Sequence, residues 1–468
     1  MSCVAAVRLY IDKMIEESGP GMKVLMMDRE TTTIVSVVYA QSEILLKEVY
    51  LFERIDLAGG DAMKHLKCIV FVRPTKENIE LLVRELKRPR YGQYYIYFSN
   101  TVNRSDVKVL AEADDQESVH EVREFYGDYV ALAPHLFSFN LTGCFQGRNW
   151  NRSALERTVH GIVAVLLSLR KSPAVRYQGN SETARRLAEG VSQLMTRESK
   201  LFDFRRPEIP PLLLIMDRRS DTVTPLLNQN MYRNFGEIGS NIKDLMEEFQ
   251  RKTKNHEKVE SIADMKAFVE HYPQFKKIQG AVAKHVTLMG ELSRLVGAHC
   301  LLEVSEVEQE LTCNTDHADI LKRIRSLVTN SKVRDIDCLR LVMLYALHYE
   351  KQSGGDLAGL VELLRKRGLS DNLLRMVSSA VEFQERKFQP GDKFSADNMR
   401  AFTKKVIKGL KVSGVTYEES LSVYKLNVAN PGTRILLGGT AVHNFTSFLD
   451  ELKSATADFA SRSGRHLY

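Results

Sequence analysis

The chain is short of the features that mark secreted, metal-bound or membrane-embedded proteins. Its six cysteines (Cys3, Cys68, Cys144, Cys300, Cys313, Cys338) form no CxxC pair. The closest His/Cys groupings, His299 beside Cys300 and Cys313 near His317, lack a second pair at zinc-site spacing, so a structural role is preferred to a metal role. The amino terminus, MSCVAAVRLYIDKMIEESG, is an acidic amphipathic stretch with no secretory pattern. Together these absences predict a reducing, intracellular compartment. The longest apolar runs, Gly161 to Leu169 and Leu341 to Leu347, fall far short of the ~20 residues a membrane span needs, so a membrane role has to come through partners. No complete GxGxxG, P-loop lysine pattern or GxSxG occurs, and no cofactor is expected. A net charge of +7 over 468 residues, with both signs interleaved, is no nucleic-acid signature.

What is present is an alternation of short apolar runs and amphipathic segments. Met22 to Asp28, Val49 to Phe52, Lys67 to Val72 and Tyr94 to Ser99 are strand-like. Between the last two, TKENIELLVREL places Thr75 at an N-cap and Glu77 in the first turn. Val107 to Glu112 and Ser118 to Phe125 read as helices, and Asp128 to Ala133 and His135 to Asn140 as strands closing a first parallel, doubly wound unit near Phe137. Ala154 to Arg170 and Glu182 to Lys200 are helical and introduce a second unit. Its central strand is Leu212 to Met216, an apolar run with the pattern of a strand buried on both faces. Thr433 to Leu437 is a further strand, Gly438-Gly439 a turn, and Ser447 to Lys453 a helix of the same unit. The stretch between, from about Asn234 to Leu410, offers only helices and reads as an insertion.

Asp217 and Asp221, just past the Leu212 strand, are the strongest enzyme candidates. With Thr222 and Thr224 they suggest a nucleotide- or sugar-processing α/β enzyme. Their spacing of four, with Arg219 between them, opposes a shared Mg²⁺. The bland reading pairs Asp217 with a neighbouring arginine and makes Asp221 and Thr224 caps for a turn whose first position is Pro225. That reading is preferred. Gly438-Gly439 could cradle a phosphate, but a tight turn is the simpler account.

The stretch DRRSDTVTPLL, with MIEESGPGMKVLMMD, YLFERID, RPTKENIE, EFYGDY, MYRNFGEIGSNIKDLMEEFQ and RILLGGTAVHN, resembles the SM (Sec/Munc-type) family of regulators of SNARE-mediated fusion, over almost the whole chain. The resemblance implies a three-domain arch of class α/β plus α, with two parallel-sheet α/β domains and a mostly helical inserted domain. Domain 1 is residues 1–137, domain 2 is split into 138–229 and 412–468, and domain 3 is 230–411. It implies no enzymatic activity. It implies a syntaxin-type SNARE of endosome and trans-Golgi membranes, the assembled SNARE bundle and a Rab-effector tether as partners, with peripheral membrane association through them. A syntaxin-peptide pocket is expected on the late domain 1 helices at Leu110, Val119, Val122, Phe125 and Tyr126, where a charge at Leu110 should weaken binding. A SNARE-binding helical hairpin is expected at Met265, Phe268, Tyr272, Pro273 and Phe275. Two departures stand out. Asn230-Met231-Tyr232 follows Gln229 directly, and Leu410 to Val415 runs straight into Thr416-Tyr417 where relatives carry a longer connection and an apolar strand. Losing that strand is expected to leave backbone groups of the second sheet unpaired and to impair domain 2.

Overall fold

The structure is a computed structural model that describes residues 1–57, 61–147, 149–205, 210–227, 276–313, 317–349, 355–384, 409–412 and 414–463. A first sheet holds β1 (Lys23–Met27), β2 (Val49–Arg54), β3 (Met63–Val72), β4 (Tyr91–Phe98) and β5 (Val119–Glu124), in the order β2-β1-β3-β4-β5 and parallel throughout. All five residues of β1 are buried, because helices cover both faces of a doubly wound sheet. The helices are α1 (Cys3–Glu17), α2 (Arg29–Val38), α3 (Gln41–Leu45), α4 (Lys76–Lys87) and α5 (Arg104–Ala113). Helix α4 forms as its sequence dictates. Thr75 accepts the Asn78 amide at its start, Ile79, Leu82 and Leu86 make its buried stripe, and Arg84 and Lys87 sit at its carboxyl end.

A second sheet of six strands runs β10-β11-β12-β14-β7-β6. Its members are β6 (Val130–Ala133), β7 (Leu136–Ser138), β10 (Ala174–Tyr177), β11 (Leu212–Asp217), β12 (Gly409–Val412) and β14 (Leu437–Gly439). Only the β6–β7 pair is antiparallel. Short pairs β8 (Phe145–Gln146) with β9 (Asn149–Trp150), and β13 (Val415–Thr416) with β15 (Val442–His443), flank it. Helices α6 (Arg152–Ser168) and α7 (Glu182–Arg197) pack together beside this sheet. Six described helices follow β11 before β12: α8 (Lys276–Ala298), α9 (Leu301–Cys313), α10 (His317–Thr329), α11 (Asp335–Tyr349), α12 (Leu357–Lys366) and α13 (Asp371–Phe383). Helices α14 (Tyr417–Ala429) and α15 (Phe445–Ser463) complete the chain, and α15 packs on α13. Among the described residues, α11 is the buried core of the helical stretch, with Leu339, Leu341, Val342 and Met343 fully covered.

Four expectations are corrected. Ser118 to Phe125 is not helical: its half-exposed, charge-rich pattern holds edge strand β5, because pairing with β4 overrides local propensity. Residues 130–138 do not close the first sheet. They pair into the second, so the boundary between the sheets falls between Glu124 and Val130. Gly438-Gly439 is no turn; both glycines lie within β14. The second sheet has no gap, since β12 pairs with β11 on one side and β14 on the other. The unpaired backbone expected from a missing strand does not arise.

His135, between β6 and β7, is buried, and its Nε2 lies 3.2 Å from the Ser420 carbonyl and 3.1 Å from Ser420 Oγ on α14. Burial depresses its pKa below the ordinary 6.5, with the Ser420 contact opposing. Between the depressed value and 6.5 the unfolded chain binds a proton that the folded chain does not, so stability is lost as pH falls through this window. Urea midpoints measured from neutral into mildly acidic buffer should fall with a smaller slope in His135→Asn than in the parent. Equal slopes count against the assignment.

Candidate functional site

Open parallel sheets take ligands in the crevice beyond the carboxyl ends of their strands, where the strand order reverses. In the first sheet that point lies between β1 and β3, and Asp28 stands there at the start of α2. Its Oδ1 accepts the Thr31 amide at 2.7 Å and the Thr31 hydroxyl at 2.8 Å. Its Oδ2 accepts the Arg73 amide at 2.7 Å and Asn78 Nδ2 at 2.7 Å. Behind it, buried Asp128 accepts from Arg157 Nη2 at 2.8 Å and Asn100 Nδ2 at 3.0 Å, and pairs with Arg73 at 3.2 Å. Burial pulls the Arg157 pKa down to about 10, against the pull of Asp128. Because Arg157 belongs to α6, this network ties the first sheet to the second unit.

The second crevice, past β11, is filled in the same way. Asp217 is buried and accepts from Ser181 Oγ at 2.6 Å, Thr183 Oγ1 at 2.5 Å and Arg219 Nη2 at 2.7 Å. Burial pushes this carboxyl up, but the Arg219 guanidinium and the two hydroxyls hold it below the ordinary carboxylate value. Asp221 accepts the Thr224 amide at 3.0 Å and the Thr224 hydroxyl at 2.7 Å, capping the short turn Thr224–Leu226. Arg218 is fully buried. Its guanidinium meets Glu419 at 2.5 Å, Asp221 at 3.3 Å and the Gly414 carbonyl at 3.1 Å. Asp217 and Asp221 therefore engage separate partners: the Asp217–Arg219 pair and the Asp221 cap read from the sequence are present, while Thr224 is the first residue of the turn and not a cap, and Pro225 is the second. Among the described residues no group of three or more His, Cys, Asp or Glu could hold a metal. The glycine pair is explained by packing: a Cβ on Gly438 would lie 2.0 Å from the Phe137 ring, and one on Gly439 2.8 Å from the Val415 amide.

The five peptide-pocket residues do not converge. Leu110 on α5 is buried in the core between α4, α5 and the sheet, and Val119 packs on that same cluster. Val122, opposite Ile96, shares their face and is 37% exposed. Phe125 points the other way and stacks on Tyr97 and Tyr10, while Tyr126 packs on that same opposite core and donates its hydroxyl to Glu124. A charge at Leu110 would therefore strike the core and not a surface. Met265, Phe268, Tyr272, Pro273 and Phe275 lie outside the described residues. The sequence reading missed Glu419 as the partner of Arg218 and the whole Asp28–Arg73–Asp128–Arg157 network. The one local signal was Asp28 followed by Thr31, the spacing of a capping box.

A Sec1 family model matches residues 23–233 and 228–406. The human vacuolar protein sorting-associated protein 45 is 50% identical, covering 97% of this chain and 96% of its own. That alignment spans 547 positions against 468 residues here, so at least 79 positions of the relative lack a counterpart. The family match breaks at 228–233, where the sequence departs after Gln229. The homologue from Arabidopsis thaliana is 37% identical over the full length of both chains. Among solved structures, the SM protein Vps45 in complex with the Qa SNARE Tlg2 superposes with a TM-score of 0.87 at 37% identity, covering 98% of each chain.

Proposed function

The chain belongs to the Sec1 family, and on that premise we propose that it binds a syntaxin-type SNARE and regulates vesicle docking and membrane fusion in transport between endosome and trans-Golgi membranes. The observation that carries this is its fold-wide likeness to a Vps45 solved with a Qa SNARE. The protein is a binding protein and not an enzyme. Support comes from the two sheet crevices, whose carboxylates are taken up by internal arginines, hydroxyls and amides. It reaches membranes through its partners, the SNARE, the assembled SNARE bundle and a Rab-effector tether; among the described residues no helix is long and apolar enough to cross a membrane. The first unit takes the syntaxin peptide, the second is split in sequence, and the helical insertion carries the SNARE-bundle hairpin.

On the first unit the peptide lies along edge strand β5, where Val122 is exposed beside Val119 and above Leu110. Pull-down with syntaxin cytosolic domains tests the function, and a labelled syntaxin amino-terminal peptide tests the site. Val122→Glu, at a position already open to water, should leave the melting curve unchanged and weaken the peptide roughly tenfold, the loss of one partly buried apolar contact. Unchanged affinity removes β5 as the site. Failure of every syntaxin to bind the parent chain removes the function.

A further inference from the structure

A pocket at the opposite end of the second sheet, at the amino ends of its strands, belongs to none of these sites. It has a volume of about 280 Å³ and is walled by Ile162 and Leu166 of α6, Leu169 just after it, Phe137 of β7, Leu213 of β11 and Leu436. Its floor is wholly apolar side chain, and its rim carries Lys171 and Arg434. Through Lys171 and Pro211 it opens into a second cleft, about 760 Å³, that adds Arg170, Lys200 and Arg205. Among the described residues, Asp203 is the one acid lining either cavity. All five basic residues are exposed, and none has an ion-pair partner among the described residues. On α7 of the same unit, by contrast, the exposed Arg185 and Arg186 both pair with Glu182. Unpaired cations concentrated around a recessed apolar hole set a field that selects anions and a shape that selects one bulky side chain.

We infer that this pocket docks a short acidic segment of a partner protein, with one leucine or phenylalanine entering the hole and flanking carboxylates lying along the basic cleft. A peptide fits better than a bilayer. Insertion into lipid needs apolar groups that protrude, and here they are recessed. Charge around the pocket raises the association rate and burial of the anchor holds the complex. The site lies on the second unit, away from edge strand β5, so it is independent of the SNARE-peptide reading.

The test uses the full chain and the fluorescein-labelled peptide EDELFEDE, read by anisotropy. Binding is expected at ~10–100 μM, the range of a single-anchor contact. EDEAAEDE should bind at least ~tenfold more weakly, because the anchor is gone. Lys171→Glu with Arg205→Glu should cost a similar factor, since both side chains are exposed and reversal leaves the fold alone, whereas Lys108→Glu, on exposed α5, should change nothing. A benzophenone at the phenylalanine position should crosslink to the segments holding Leu213 and Leu436. The inference is overturned by any of four results: no binding up to ~1 mM, equal binding of EDEAAEDE, equal binding by the charge-reversed chain, or sedimentation with phosphatidylserine vesicles in place of peptide binding.

Discussion

Replacing Arg218 with methionine will destabilise the second α/β unit by about 3 kcal/mol, the low end of the ~3–5 kcal/mol that follows removal of one partner from a buried ion pair. The side chain is completely covered, and it faces Glu419 and Asp221, which are 14% and 23% exposed. Those partial exposures place the loss at the lower end, because water reaches the orphaned carboxylates. Methionine keeps the length of the stem and removes the charge, so the effect is electrostatic and not a cavity. Glu419 also accepts the Thr416 amide at 2.9 Å at the start of α14, so losing the arginine loosens that cap as well. The combined change Arg218→Met with Glu419→Met should recover only part of the loss, because Asp221 still lacks the arginine and the Thr416 amide loses its acceptor. Urea unfolding followed by far-UV circular dichroism measures both. A single variant within about 1 kcal/mol of the parent would show that the pair is solvated in solution.

Gly438→Ala will cost about 3 kcal/mol, the upper end for overpacking, and Phe137→Leu will relieve part of it. The two residues face one another across the β14–β7 pairing. The added methyl would stand 2.0 Å from the Phe137 ring, well inside the ~3.5 Å of ordinary carbon contact. Phe137 is buried against Tyr129 and Phe139, so its ring can give way only toward the apolar pocket that it walls. A double-mutant cycle should return a favourable coupling of ~1–2 kcal/mol. Additive losses would mean that the ring moves freely and that the glycine has another purpose.

Features written in neighbouring residues were legible in the sequence. The Asp217–Arg219 pair spans two positions, and the Asp221–Thr224 cap spans three. Helix α4 announced itself through its cap and its stripe of Ile79, Leu82 and Leu86. Strand β11 did so through an unbroken apolar run. Features made by distant residues were not. Glu419 lies 201 positions from Arg218, and nothing local marks it as a partner. Gly438-Gly439 looked like a turn because the ring that forbids a side chain there comes from a strand 301 positions earlier. Strand β5 alternates valine with histidine, glutamate and arginine on a half-exposed edge, a pattern that serves a helix equally well. Strand β12 is four residues long and exists because β11 and β14 frame a slot for it. The five peptide-pocket residues looked like one group on two late helices. Leu110 is on helix α5, and the other four, on a strand and the turn after it, divide between two faces of a sheet.

The order β10-β11-β12-β14-β7-β6 has a temporal consequence. About 190 residues separate the end of β11 from the start of β12, so at ~5–20 residues per second of synthesis the inner edge of β11 waits roughly 10–40 s for its neighbour. During that interval the unit holds Leu212–Asp217 as an open, apolar edge, the kind that pairs with foreign strands. The helical stretch can bury its own core around α11 in the same period, because its contacts are local. Biogenesis of this protein is therefore gated by β12 and β14, and a chain released before they emerge leaves the ribosome with half a sheet.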